Sequence, residues 1–275
     1  MSDTDRIHYT DDITAFSENE LERLLGLVVP PVCLLGGWAV HLHVTNAFEA
    51  EYDRSYIGSR DIDIGIFVDP EWTAAEIEEQ PVADTMGRIE SQMGYERGRF
   101  GFYQEFQRSS REPLSEDEAS RYPQHEIFRV DIDIIPSTDS LDSFQEAFGF
   151  RPPAEPLLQP VFEDEQFERL NDYVDWDIPS TVFLVPRPIL AAMKVRSAPD
   201  RDKSHKLVKD LTDLHSLLWY GGNYQQIKSA IVEYVDESAI ATFEDSTSDE
   251  ALTRAAALMD VDPDLVRNSI RQLFL

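Results

Sequence analysis

Two segments of the chain carry the same short pattern, Asp61-Ile62-Asp63-Ile64 and Asp131-Ile132-Asp133-Ile134. In each, apolar β-branched residues alternate with carboxylates, the period-two signature of a strand with one buried face. Ile62, Ile64 and Ile66 are therefore expected to face a core. Asp61 and Asp63 share the opposite face, their Cα atoms roughly 6–7 Å apart. The recurrence calls for an ordered sheet that displays several carboxylates on one side. Upstream, Val32-Cys33-Leu34-Leu35 reads as a buried strand, Gly36-Gly37 as a turn, and residues 38–50 as a helix. The free N–H groups at the start of such a helix receive phosphate oxygens well. Paired carboxylates beside a phosphate-binding turn suit Mg²⁺ and nucleotide chemistry.

Composition bounds the remaining choices. The chain has 53 acidic and 24 basic residues, a formal charge of −29. With 42% apolar residues, including 15 Phe and 10 Tyr, it still holds enough to build a core, which argues against disorder. Five lysines against 19 arginines, with so much Asp and Glu, resembles the cytoplasmic proteins of salt-adapted (halophilic) microbes, where high ionic strength screens self-repulsion. Acidity is therefore read as habitat. Cys33 is the single cysteine and lies in an apolar run, so a disulfide within the chain and a Cys-based zinc site are both excluded. The polar N-terminus and the lack of any roughly 20-residue apolar run predict a cytoplasmic protein with no membrane segment.

Along the chain, residues 12–28 read as a helix with Ser17 as a candidate N-cap, closed by Pro30-Pro31. A loop over 52–58 leads into the Asp61 strand. Helices are expected over 71–80 and 82–93, broken at Pro81, then strand over 95–107 with a turn at 98–101. A charged exposed loop over 111–121, the 126–136 strand, a short helix over 141–148 and a proline-rich connector follow. Short strands, including 181–185, precede Pro186. From Pro188 the pattern is helical, with breaks near Pro199, Gly221-Gly222, Asp245 and Pro263. The boundary falls at Pro186–Pro188: an α/β part (1–186) with a mixed sheet and flanking helices, then a helical part (187–275) that closes a cleft. Phe102, Tyr103 and Phe106 are expected in the core, Trp38 under the sheet, and His41 as a packed helix residue.

Lysine is scarce, so its placement informs. Lys194, Lys203, Lys206 and Lys209 fall within 16 residues, joined by Arg187, Arg196 and Arg201. With seven basic residues against two acidic ones, the segment 187–209 carries a local charge of +5 in a chain at −29. Polyphosphate is the expected partner of such an island. Leu207, Leu211, Leu214 and Leu218 mark one buried helix face, and Lys206, Lys209, Asp210 and Asp213 lie along another.

Gly36-Gly37 followed by Asp61-Ile62-Asp63 resembles the nucleotidyltransferases of the DNA polymerase β superfamily. Arg129-Val130-Asp131-Ile132-Asp133-Ile134-Ile135-Pro136 is similar to that superfamily's third motif, which nominates Asp131, with Asp133 on the same face as a further candidate. Ala191-Ala192-Met193-Lys194, then Lys209-Asp210-Leu211-Thr212-Asp213-Leu214, resembles the C-terminal motif of the toxin and abortive-infection (AbiEii-like) branch, nominating Lys194 and Asp210. Together these motifs span residues 32–68, 126–136 and 187–218.

The resemblance implies transfer of a nucleotide from an NTP to a hydroxyl, with two Mg²⁺ ions. Asp61, Asp63 and Asp131 would hold the metal, with Gly36, Gly37 and Lys194 on the triphosphate. Arg60, read from its position alone, either contacts a phosphate in the nucleotide-binding set or pairs with Asp61. Lys194 and Asp210 would complete the catalytic set, and Lys209 and Asp213 are further candidates. tRNA is the first expected acceptor, and an antitoxin protein is an implied partner. The alternatives are a small-molecule or protein hydroxyl as acceptor, or a catalytically silent member that binds nucleotide or a partner.

Overall fold

The structure, a computed structural model, describes residues 9–274. It is a mixed α/β fold in which a twisted mixed sheet is followed by a run of helices. The chain enters through α1 (Asp11–Leu25), then β1 (Val32–Leu35), α2 (Gly36–Tyr52) and β2 (Ile62–Ile66). Next come α3 (Ala74–Glu78), α4 (Pro81–Arg88), β3 (Glu96–Arg97), β4 (Gly101–Gln107), β5 (Pro113–Leu114) and α5 (Glu116–Ala119). The long β6 (Ile127–Pro136), α6 (Asp142–Phe148), α7 (Gln159–Glu163), β7 (Glu168–Arg169) and β8 (Phe183–Leu184) complete the sheet-bearing part. Six helices follow: α8 (Arg187–Ser197), α9 (Ser204–Tyr220), α10 (Tyr224–Tyr234), α11 (Glu237–Ser246), α12 (Asp249–Met259) and α13 (Pro263–Arg271).

The strand order is β3-β4-β6-β2-β1-β8-β7, with β5 paired to β4. The carboxylate strands sit at its centre. β2 runs parallel to β6 and antiparallel to β1, while β6 is antiparallel to β4. Central placement follows from sequence, because Ile62, Ile64, Ile132 and Ile134 are all fully buried and so need cover over the same face. One continuous apolar core extends from that face into the helical part, where Leu211, Leu214 and Leu218 are buried as the spacing predicts and Leu207 is half-buried. No described helix is long and apolar enough to cross a membrane.

Several local expectations are corrected. Ser17 does not cap α1, whose N-cap is Thr10. Ser17 lies mid-helix and buried; its hydroxyl donates to the carbonyl of Arg60 (2.9 Å) and accepts from the Trp38 indole (3.2 Å). The glycine pair is not a turn before a helix but the first two residues of α2. Tyr103 is not core: strand alternation turns Phe102 and Phe106 inward and Tyr103 outward, onto the carboxylate face, where the Arg129 guanidinium lies 4.0 Å from its ring centre. The charged loop over 111–121 contains a short strand and a short helix, the latter opened by a Ser115–Glu118 capping box. A helix break unmarked by Gly or Pro occurs at Val235–Asp236, where the Asp236 side chain accepts from the Ala239 N–H and starts α11.

Candidate active site

Parallel pairing of β2 with β6 sets Asp63 opposite Asp133 in register, with Ile62 opposite Ile132. Asp61 precedes β2, and Asp131 sits two residues further back on β6. The structure thus brings Asp133, rather than Asp131, alongside Asp63. Asp131 is engaged elsewhere: Arg129 donates to its Oδ1 through Nε (2.9 Å) and an NH2 group (2.7 Å). Asp61, Asp63 and Asp133 all line a small inner pocket of about 90 Å³, and Asp131 does not.

The glycine pair closes one wall of that pocket. Gly36 adopts φ +67°, and a Cβ there would lie 1.8 Å from Oδ2 of Asp63. Both facts demand glycine, one for conformation and one for space. At Gly37 a Cβ would meet the Ser59 hydroxyl at 2.8 Å. The pair therefore lets the start of α2 lie directly against the carboxylate strand.

The opposite wall comes from the helical part. Lys194 on α8 and Lys209, Asp210 and Asp213 on α9 meet in a buried ion-pair network. Lys194 Nζ donates to Asp210 (2.7 Å) and to Asp213 (2.8 Å), Lys209 Nζ donates to Asp213 (2.5 Å), and Arg201 donates to Asp210 (2.6 Å). The Tyr56 hydroxyl adds a bond to Asp213 (2.8 Å). These residues are nominated by the sequence, and the structure does gather them. It also shows that the lysines are largely internal: the side chains of Lys194 and Lys209 are only 10% and 7% exposed.

The two walls differ in electrostatics. Burial first, then Asp61, push the carboxyl of Asp63 upward. Asp133 is pushed up to about 7 by burial, then by Asp63 and Asp61. Like charges on one sheet face resist joint ionisation. Across the pocket, burial opposes charge on Lys194, yet Asp210 and Asp213 overcome it and raise the ammonium above its usual value. Asp210 is held below the usual carboxylate range: burial works against its charge, and Lys194 and Arg201 outweigh that. Lys209 is pulled down by burial and by Lys194, against Asp213.

Lys206, on the first turn of α9, connects the walls. Its Nζ donates to Oδ2 of Asp61 (3.0 Å). Among the described residues, no group of three His, Cys, Asp or Glu side chains is arranged to hold a metal ion as it stands. The donor set nevertheless fits one chemically. Three hard carboxylates crowd together on a rigid sheet, two of them pushed toward protonation by burial and by one another, and a divalent cation would relieve both. Such an ion would compete with Lys206 for Asp61.

Arg60 makes no ion pair with Asp61. Its Nε donates to the carbonyl of Arg129 (2.9 Å), and its guanidinium lies 5.4 Å from the Phe128 ring centre. With Arg99, Phe100, Arg129, Asp131, Lys203 and Lys206 it lines an outer cleft of about 460 Å³ that adjoins the inner pocket. His41 and His43 point apart, as their spacing predicts. His41 packs edge-on against Trp38, and His43 Nε2 donates to the Val185 carbonyl (2.9 Å).

Sequence reasoning missed Tyr9, Ser59, Arg201 and Lys206 as pocket-lining residues. Arg201 and Lys206 lay within the basic island and Ser59 two residues before Asp61, so their neighbourhood was marked. Tyr9 carried no signal.

No protein family and no curated protein matches the chain. Among solved structures it is similar to an antigenic nucleotidyltransferase-like protein from Paracoccidioides brasiliensis, with 14% sequence identity, a TM-score of 0.37, and coverage of 86% of this chain and 94% of that one. A likeness of that degree adds nothing to the chemistry, which rests on the side chains above.

Proposed function

We propose that the protein is a nucleotidyltransferase that moves a nucleoside monophosphate from an NTP to a hydroxyl acceptor. The observation that carries the reading is the Asp63–Asp133 register beside Gly36, a position where only glycine fits against the Asp63 carboxylate. This juxtaposition sets carboxylates and the N–H groups of a helix start around one small pocket, as metal-assisted phosphoryl chemistry requires. Asp61, Asp63 and Asp133 would hold Mg²⁺, which when bound supplies charge stabilisation to the attacking and leaving oxygens.

The inner pocket, about 90 Å³, is too small for a nucleotide and suits phosphate groups and metal. The base and sugar would occupy the outer cleft of about 460 Å³, where Arg60, Arg99 and Lys203 offer positive charge. Lys206 lines both spaces and is the lysine best placed to meet phosphate. Lys194 and Asp210 act differently from simple phosphate contacts in this reading. Locked together, they fix α8 against α9 and so set the distance of the helical wall from the strands.

The acceptor we favour is tRNA, on the resemblance of the Lys194 and Lys209–Leu214 segments to toxin-type transferases; an antitoxin protein would then be a partner. A second reading has its own observation. Lys194 and Lys209 already have carboxylate partners and Lys206 already holds Asp61, so a silent member that binds nucleotide without turnover is consistent with the same pocket. Incubation with each labelled NTP, Mg²⁺ and total tRNA in molar KCl separates the readings. Label on RNA supports the favoured acceptor, and label on protein or a small molecule supports transfer to another hydroxyl. Tight NTP binding without any labelled product would overturn the transferase reading.

A further inference from the structure

Lys206 differs from the other two pocket lysines in freedom. Its side chain is 40% exposed, against 10% for Lys194 and 7% for Lys209. Lys194 has two carboxylate partners and Lys209 sits against Asp213 in the interior, whereas Lys206 has a single bond to Asp61 across the gap between α9 and β2. Lys203, the N-cap residue of α9, provides no side-chain cap, so the first turn that carries Lys206 is held without that brace. Lys206 also borders both the inner pocket and the outer cleft, so its ammonium can pass between them without crossing the core.

We propose that the Lys206 ammonium is a placeholder cation. In the metal-free protein it occupies Asp61 and balances the Asp61–Asp63–Asp133 cluster; a divalent ion displaces it, and the freed ammonium turns to the phosphates of the nucleotide. The inference rests on the metal-site part of the proposed function. Its physical basis is a difference in commitment of charge. Lys194, Arg201 and Lys209 line the same pocket but are bonded to Asp210 and Asp213, so Lys206 is the cation bonded to the three-carboxylate cluster. A divalent ion compensates that cluster better while repelling the ammonium at close range. A half-exposed single ion pair costs little to break, and the Coulomb gain at Asp61 reappears at the triphosphate. Metal binding and nucleotide binding then become coupled through one side chain of the helical part.

The test measures metal binding by the nucleotide-free full chain, with Mn²⁺ as the probe and free Mn²⁺ read by electron paramagnetic resonance at fixed salt. Lys206→Met removes the competitor and is expected to bind Mn²⁺ about five- to tenfold more tightly than the wild type, the usual lower range of coupling between sites. Lys206→Arg, which keeps the charge, should stay near the wild type. In the same variants, triphosphate affinity should move the other way and fall in Lys206→Met. The metal-free melting temperature of Lys206→Met should drop while its rise on adding Mn²⁺ grows. Lys206→Gln repeats the measurement if Met impairs folding, and Lys228→Met controls for loss of a surface lysine. Equal or weaker Mn²⁺ affinity in the charge-removing variants, or no Mn²⁺ binding by any variant including the wild type, overturns the proposal. Tighter Mn²⁺ binding with no nucleotide transfer would retain it and remove the transferase reading instead. Transfer with unchanged Mn²⁺ affinity would do the reverse.

Discussion

The two walls of the inner pocket are built from the same kinds of charged side chain and behave in opposite ways. On the sheet, Asp61, Asp63 and Asp133 crowd like charges, and Asp63 and Asp133 are driven toward protonation. In the helical part, Lys194, Arg201, Lys209, Asp210 and Asp213 interleave opposite charges, so that Lys194 is held protonated and Asp210 ionised, with Lys209 alone pulled down by burial. A frustrated cluster gains when a ligand arrives, whereas a satisfied network resists change. On the proposed function, the contrast would give recognition and chemistry to the strands and geometry to the buried helix pair, with Lys206 bonded across them. It also revises the meaning of the basic island: much of its charge is neutralised internally by Asp210 and Asp213.

The largest effect is expected on the strand side. Asp63→Asn should remove nucleotide transfer by several orders of magnitude; a ~10⁴-fold loss corresponds to about 5.4 kcal/mol of barrier. Its thermal stability without metal should not fall, because a repelling charge is lost. Transfer at the wild-type rate, in a variant with normal circular dichroism, would end the strand wall's claim to the chemistry.

Next comes Lys194→Ala, which tests whether the helical wall is structural. Leaving Asp210 and Asp213 short of countercharge in the interior should cost roughly 3–5 kcal/mol in urea unfolding. Combining it with Asp213→Asn should cost less than the sum of the two single changes, since they share one network. A fully stable Lys194→Ala that merely binds NTP more weakly would show that Lys194 belongs with the recognition side.

The neighbouring carboxylates of β6 sharpen the division within one strand. Asp133→Asn is expected to slow transfer about 10²-fold or more, near 2.7 kcal/mol, and Asp131→Asn by less than about tenfold. The motif resemblance orders them the other way, so steady-state rates of the two variants decide between register and motif.

The smallest effect concerns pH. The folded-state value of Asp133, about 7, lies above its ordinary 3.8, so the folded protein binds the extra proton between those limits. Stability from this group is therefore greatest at low pH and declines as pH rises toward 7, then levels off. His43 and His215, each held down to about 4 by burial, contribute the opposite trend over the same range, because the unfolded chain takes up their protons first. The test is therefore the difference between wild type and Asp133→Asn. In EDTA, the unfolding free energy of the wild type relative to that variant should fall by about 2 kcal/mol from pH 5 to pH 8, since the histidine contributions cancel. Added Mg²⁺ should oppose that fall. A difference that stays flat from pH 5 to 8 would mean that Asp133 is not held protonated.

Local rules made much of this legible. The Asp-x-Asp alternation identified both strands and their carboxylate face, because strand periodicity is a backbone property carried by every residue. Leu211, Leu214 and Leu218 gave the buried face of α9 for the same reason at helical period, and Pro186 marked the change from strands to helices. The helix break at Asp236 escaped because, in a chain this rich in aspartate, a single Asp does not by itself mark a cap.

What remained for the tertiary structure was register and pairing. Strand period placed Asp131 and Asp133 on one face, and the motif resemblance nominated Asp131, whereas the folded sheet sets Asp133 opposite Asp63. The choice depends on how β6 slides against β2, which is fixed by packing of Ile62 and Ile64 beside Ile132 and Ile134. The sequence gathered Lys194, Lys209, Asp210 and Asp213 into one neighbourhood but read their cations as exposed to phosphate. Only the packing of α8 on α9 buries them, and burial turns a run of like charge into compensated pairs. The bond from Lys206 to Asp61 joins residues 145 apart in sequence, and no local pattern encodes it. Periodicity is a one-dimensional property and survives in the sequence; electrostatic compensation depends on distances that exist only after the chain has folded.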